Sequence, residues 1–238
     1  MPDKFTYLLI DLGAFLVPFL FSFHRKINFY NHWRSFWPAN VIVSILFVIW
    51  DSIYTHIGVW GFNERYLVGL YFFGLPIEEI LFFICIPYSS LFTYHCFKVF
   101  FPNDVNLSSK WISLALVFFT ALLGVTFSEK LYTGITFNAL ALLIFVLAVI
   151  RKETWLSSFY RMYLVILLPF FIVNGLLTGT GLDEPVVWYD DTENLGVRIL
   201  TIPVEDVFYG MLLLLLNTFL FETFLKIHAK KKTAHISI

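Results

Sequence analysis

The chain has 238 residues, 59% of them hydrophobic and only 14% charged, with a formal net charge of -1. So apolar a composition excludes an ordinary soluble domain and reads as a membrane protein. Its basic residues are confined to short loops, so the charge balance gives no footprint for nucleic acid.

Apolar runs long enough to cross roughly 30 Å of hydrocarbon occur near residues 5–23, 39–59, 77–100, 111–128, 134–150, 162–179 and 203–226. The first follows Asp3 and Lys4, is interrupted by Asp11 and lacks a small-residue cleavage pattern, so it reads as a retained span rather than a removed signal peptide. Spans four and five are separated by only SEKLY and would alternatively form a re-entrant pair. The third span carries Cys85 and Cys96, on one helix face but three turns apart, which prevents a bridge between them. Alternating the spans leaves Lys4, Arg65, Lys130 and Arg198 on one side and the other twelve of the 16 basic residues opposite. The positive-inside rule then puts the N-terminus outside and the lysine-rich C-terminus in the cytoplasm.

Two stretches stand out. Residues 75–83 read LPIEEILFF and residues 202–210 read IPVEDVFYG, two adjacent acids behind a proline at the start of an apolar run. At the same offset of 127, Phe62 falls on Tyr189, Asn63 on Asp190, Glu64 on Asp191 and Gly69 on Gly196; Arg25-Lys26 falls on Arg151-Lys152 at 126, and Asp51 and Thr55 on Asn174 and Thr178 at 123. The spacing predicts an all-α polytopic domain over 1–238, with a three-helix unit at 1–104, a linking helix at 105–132 and a second unit of the same orientation at 133–230. Parallel repeats of this kind meet around an internal cavity with equivalent residues facing it.

Proline with acids in the first turn is a sound helix start by itself, since proline needs no amide donor there and carboxylates meet the positive end of the dipole. It explains less well why both copies carry two acids at membrane depth, where acids normally face a cavity or partner. A carboxyl held among Phe and Leu has its neutral form favoured by desolvation, and more so beside a second carboxylate, which makes it a proton donor. Adjacent helix positions point about 100° apart, so one acid of each pair is expected to face the cavity and its neighbour to bond loop groups; which is which stays open. Arg198 serves either to hold one carboxylate ionised or as an outer-loop cation. Aromatic residues make up 20% of the chain and could stabilise a carbocation by their ring faces. Trp60, Trp188, Tyr66, Tyr189 and Tyr209, near the outer boundary, are expected as belt anchors instead.

Other signals are weak. GTGLDE at 179–184 is not a dinucleotide fingerprint, the six histidines form no short-spaced cluster, and DDTEN at 190–194 has no second copy to help hold a diphosphate through magnesium. No cofactor or metal is expected. The last span holds no lysine deep inside, since Lys226 lies at its cytoplasmic end, which argues against a retinal protein.

The set of PIEE at 76–79, PVED at 203–206, Asp51, NGLLTG at 174–179 and GVRILTIPVED leading into the last span resembles the integral-membrane lycopene cyclases, in which two small three-helix subunits pair or are fused through an extra helix. The resemblance spans nearly the whole chain; Asp206 departs from the pattern, with a shorter reach than a fourth Glu. It implies a redox-neutral isomerisation in which an acyclic lycopene end is protonated, the cation is attacked by a neighbouring double bond and a proton is lost to leave a β-ionone ring, giving β-carotene when repeated at the other end. It also implies that Glu78, Glu79, Glu205 and Asp206 share the acid and base roles, that Asp51, Asn174 and Arg198 support them, and that the partners are lycopene or other acyclic carotenoid ends and the lipid bilayer. The rival readings are a proton-coupled transporter, which would spread its acids through the membrane depth, an assembly subunit whose acids only start helices, and a cyclase of the same family making ε-rings or acting on longer carotenoids.

Overall fold

The computed structural model describes residues 3–101 and 109–236, the side chains of 232–236 excepted. The expected boundary at 104/105 lies outside the described residues. Among the described residues, seven helices are long and apolar enough to cross a membrane. They are α1 (Thr6–Phe21), α2 (Trp33–Ile57), α3 (Ile77–Phe100), α4 (Ser109–Thr126), α5 (Leu131–Phe145, extended by a π-helical turn over Val146–Ile150), α6 (Leu156–Leu177) and α7 (Val204–Ile236). Spans four and five are thus two full helices, which pack as an antiparallel hairpin in which Gly124 leaves room for Asn138. The second helix starts at Trp33, well before the expected 39, because a 3-10 turn over Phe29–His32 feeds straight into it, and Pro38 lies inside the helix.

The repeat is plain in the element boundaries. Among the described residues, three short antiparallel strand pairs, too brief to register as strands in the sequence, lie at the end of the bundle that carries the acidic motifs. Strands β2 (Tyr71–Phe72) and β3 (Leu75–Pro76) form a hairpin that leads into α3, and β5 (Arg198–Ile199) and β6 (Ile202–Pro203) form one that leads into α7. Each element of the second set begins 127 positions after its counterpart, and the hairpin tips Phe73 and Leu200 both take the left-handed backbone. These tips are 84% and 77% exposed, as apolar side chains pointed at lipid would be.

The third pair joins the halves. β1 (Trp60–Phe62) runs antiparallel to β4 (Val187–Tyr189), with Gly61 opposite Trp188 at its centre. Since 61 and 188 are equivalent positions, the pseudo-two-fold axis passes between them. A side chain at 61 would run into the Trp188 indole, which explains the glycine.

Helix packing follows the same symmetry. α3 packs against α1 of its own half and α2 and α6 from both halves, while α7 packs against α5 and the same two helices. The helices that start at the acidic motifs are therefore central, and α4 lies outside against α5. The main core, including Phe36, Phe47, Phe83, Tyr88, Phe159 and Leu215, is drawn mostly from α2, α3, α6 and α7 around that centre, with Leu140 and Ile144 added from α5. Basic residues of the far end are tied down: Lys98 bonds Glu222 at 2.6 Å, and Arg151 and Lys226 bond Glu153 at 3.0 and 2.8 Å.

Candidate active site

Proline at the end of each hairpin ends the strand pair and sets the extended backbone from which the helix begins; Pro76 has φ -64° and ψ 148°. Both acids of each motif fall in the first helical turn, and all four are buried. Their neighbours divide them identically in the two halves. Glu78 Oε1 accepts the Val68 amide at 2.7 Å, and Glu205 Oε1 accepts the Leu195 amide at 2.7 Å. Thr133 adds a second donor to Glu205 at 2.7 Å. These first acids clamp the loop before the hairpin, satisfying amides that would otherwise be buried alone.

The second acid of each pair turns inward. Tyr7 on α1 donates to Glu79 Oε2 at 2.5 Å, and Tyr132 on α5 donates to Asp206 Oδ1 at 2.5 Å. Tyr7 and Tyr132 occupy equivalent places at the starts of α1 and α5. Asp206 has two further donors on its other oxygen, Asn174 at 2.7 Å and Tyr189 at 2.9 Å. Glu79 has only Tyr7 among the described residues. The two halves thus present the same carboxyl with unequal hydrogen bonding.

Both acids line one cavity of about 380 Å³ between the halves, together with Asp51, Asn174, Trp60 and Tyr209. Asp51 accepts a hydrogen bond from the Trp60 indole. Below this polar head the walls are apolar, with Phe82, Ile86, Ile166, Phe170 and Leu213, until Ser89, Ser90 and Thr93. Glu79 to Thr93 is fourteen residues of α3, about 21 Å at the helical rise. The shape is a narrow apolar shaft with carboxyls at one end.

Aromatic rings crowd the head of the shaft. Trp60 meets Tyr132 at 5.1 Å and Tyr209 at 6.0 Å between centroids, and Tyr132 stacks on Tyr189 at 5.9 Å. The belt-anchor expectation is corrected here: Trp60, Tyr189 and Tyr209 line the cavity, Tyr66 is buried in a packed cluster, and only Trp188 is exposed. Burial, then the Asp206 charge, pushes the Tyr189 phenol well above its usual range, so it stays a donor.

Of the seven residues singled out in the sequence, Glu79, Asp206, Asp51 and Asn174 meet in the cavity, whereas Glu78, Glu205 and Arg198 do not line it. Arg198 instead bonds Asp191 at 2.6 Å and the Thr201 carbonyl at 2.8 Å, so of its two sequence readings the loop cation is the one realised. DDTEN is a self-bonded turn: Asp190 accepts the Thr192 amide, and Asn194 bonds Asp191. Tyr7 and Tyr132 were not anticipated; aligning α1 on α5 at an offset of 125 would have superposed them.

A family model, described as lycopene cyclase, matches the chain twice, over residues 4–97 and 129–224. The chain belongs to the lycopene cyclase family. No curated protein and no solved structure matches it. The two matched stretches hold both acid pairs and both tyrosines, while α4 falls in the gap between them. Family membership makes the protein an enzyme that cyclises carotenoids, and an apolar shaft capped by carboxyls suits such a substrate.

Proposed function

We propose that the protein is a lycopene β-cyclase, an isomerase in which Glu79 protonates an acyclic end of lycopene and Asp206 removes the proton that leaves the β-ionone ring. The observation that carries this is the unequal bonding of two equivalent acids facing one largely apolar cavity. Three donors aimed at Asp206 favour its carboxylate form, the form a base needs. Glu79, buried with one phenolic donor and with the Asp51 and Asp206 carboxyls in the same cavity, is suited to hold a proton.

The balance of the reaction fits two carboxyls and nothing else. Glu79 gives its proton to the terminal double bond, leaving a tertiary cation. The neighbouring double bond attacks that cation and closes the ring, moving the charge to a ring carbon. Asp206 takes a proton from the adjacent carbon, whose electron pair becomes the ring double bond. One proton has entered and one has left, so the product is an isomer of the substrate, and the enzyme resets when a proton passes from Asp206 back to Glu79. The ring faces of Trp60, Tyr132 and Tyr209 stabilise the cation between these steps, and the apolar walls keep water from capturing it. Asp51 and Asn174 hold the head of the site; Glu78 and Glu205 secure the loops that shape it.

By the positive-inside rule the acid-bearing end faces outward and the lysine-rich end of α7 faces the cytoplasm, with the bilayer supplying the substrate. The test is to express the chain in a bacterial host that accumulates lycopene and to extract the pigment. Appearance of β-carotene, lost in a Glu79→Gln, Asp206→Asn double variant, supports the reading. Unchanged lycopene with the protein present in the membrane overturns it, and an ε-ring product corrects the ring type.

A further inference from the structure

We infer that the carotenoid enters sideways from the bilayer through a doorway between α1 and α6, and that its polyene tail stays in the groove outside while one end reacts; this rests on the cyclase reading. A surface groove of about 510 Å³ runs between α1 and α6, walled by Leu9, Ile10, Ile172 and Leu176. Four residues, Gly13, Ala14, Pro169 and Val173, line both this groove and the inner shaft. What separates lipid from the reaction cavity here is therefore a glycine, an alanine, a proline and a valine. The place where a Cβ of Gly13 would sit is open, with no atom within 4 Å. α1 and α6 meet over only a short stretch.

The opposite side is closed. The pseudo-two-fold axis carries Gly13 and Ala14 onto Asn138 and Ala139, and Pro169 and Val173 onto Leu46 and Trp50. Trp50 fills that corner, packed against Phe47 at 5.7 Å and Tyr209 at 5.4 Å. Asn138 bonds the Gly134 carbonyl at 2.8 Å and sits against Gly124 of α4. None of these four lines the cavity.

The occupant follows from size and chemistry. A benzene fills a cavity of roughly 150 Å³, so the shaft of about 380 Å³ holds on the order of fifteen carbons. That is one end and part of the chain of a long polyene, and the rest needs an apolar exit. The groove supplies one, continuous with the shaft and open to hydrocarbon. With one doorway, the two ends are cyclised in separate entries, and the molecule must withdraw and turn between them.

The experiment is a size series at the doorway, Gly13→Ala, Gly13→Leu and Gly13→Phe, with Val17→Phe, 58% exposed on the same helix and outside the groove, as control. Each is purified from the lycopene-accumulating host, and both pigment conversion and lycopene retained per protein are measured. A loss that grows with side-chain size from Ala to Phe and reaches at least tenfold with Phe, an unaffected Val17→Phe control, and a monocyclic carotenoid released early in the wild-type time course support the doorway. Wild-type conversion by Gly13→Phe overturns it while leaving the cyclase intact. An inactive wild type instead removes the cyclase reading; the doorway is then judged on retained lycopene, and equal retention by Gly13→Phe overturns it. Should Gly13→Phe be absent from the membrane, Val173→Trp on the other wall decides by the same outcomes.

Discussion

Gly61 and Trp188 face each other across the β1–β4 ladder, and each is the other's equivalent 127 positions along the chain. An antiparallel ladder whose central pair is one position and its own repeat lies on the two-fold axis of the molecule. Acids, tyrosines and hairpins on either side are then placed as pairs about that axis, which is how two motifs so distant in the chain come to share one cavity.

Gly61→Ala places a methyl group against the Trp188 indole. Overpacking of this kind costs about 1–3 kcal/mol, so the variant should melt earlier in detergent than the parent. Trp188 is 45% exposed, and removing it should relieve the clash. Thermal unfolding of Gly61→Ala, Trp188→Ala and the double variant should show the double above the sum of the two losses; simple additivity would mean that the two positions do not touch.

The tyrosine on the base should govern product purity more than rate. Tyr132→Phe leaves Asp206 with Asn174 and Tyr189 as donors, and so less firmly placed. Since ring type depends on which proton is removed, the expected product is a mixture that includes the other ring isomer, seen by chromatography of extracted pigment. Tyr7→Phe alters the acid and should slow conversion without changing ring type. Pure β-rings from Tyr132→Phe would count against Asp206 as the base.

How much of this was legible in the chain depends on the range of the signal. Seven spans and the duplication could be read because membrane thickness imposes run length and because proline-acid-acid is a local pattern. Which acid faces the cavity could not, since the answer lies with Tyr7 and Tyr132, each more than seventy residues away on another helix and part of no motif. Trp60 was expected at the lipid boundary for a similar reason: an aromatic next to a span looks the same whether it meets headgroups or, as here, an aspartate. The three-residue strands WGF and VWY are too short to show alternation, so the ladder that sets the axis left no trace.

Acid sensitivity should reside at the far end of the bundle. Glu153 is partly buried, which by itself raises its carboxyl, but the bonds from Lys226, Arg151 and Trp155 outweigh this and hold it below the ordinary value of 4.5. A depressed folded value stabilises the protein above the unfolded value and is lost as pH falls through the folded one. Glu153→Gln should therefore melt earlier than wild type at pH 7, with the gap closing as the pH is taken below 4.5. A gap independent of pH would show that packing, not charge, sets its contribution.

Asp11 gives a way to exclude a proton pathway. It is fully buried on α1, neither oxygen has a partner among the described residues, and it does not line the cavity. Its equivalent is Thr136, also buried. Asp11→Thr should leave ring formation within about twofold of wild type, since an unpaired buried carboxyl contributes nothing favourable to lose. Loss of activity with the fold retained would revive a relay through α1.

The central claim is that in each motif the second acid does chemistry and the first holds a loop. Single variants Glu78→Gln, Glu79→Gln, Glu205→Gln and Asp206→Asn, compared for pigment conversion at equal membrane content, test it most directly. Gln keeps a carbonyl oxygen for the Val68 and Leu195 amides, so Glu78→Gln and Glu205→Gln should retain most of the activity. Glu79→Gln and Asp206→Asn should lose at least about a hundredfold, as expected for removing a general acid or base. Equal losses at all four positions, or a larger loss at Glu78 and Glu205, would contradict the account.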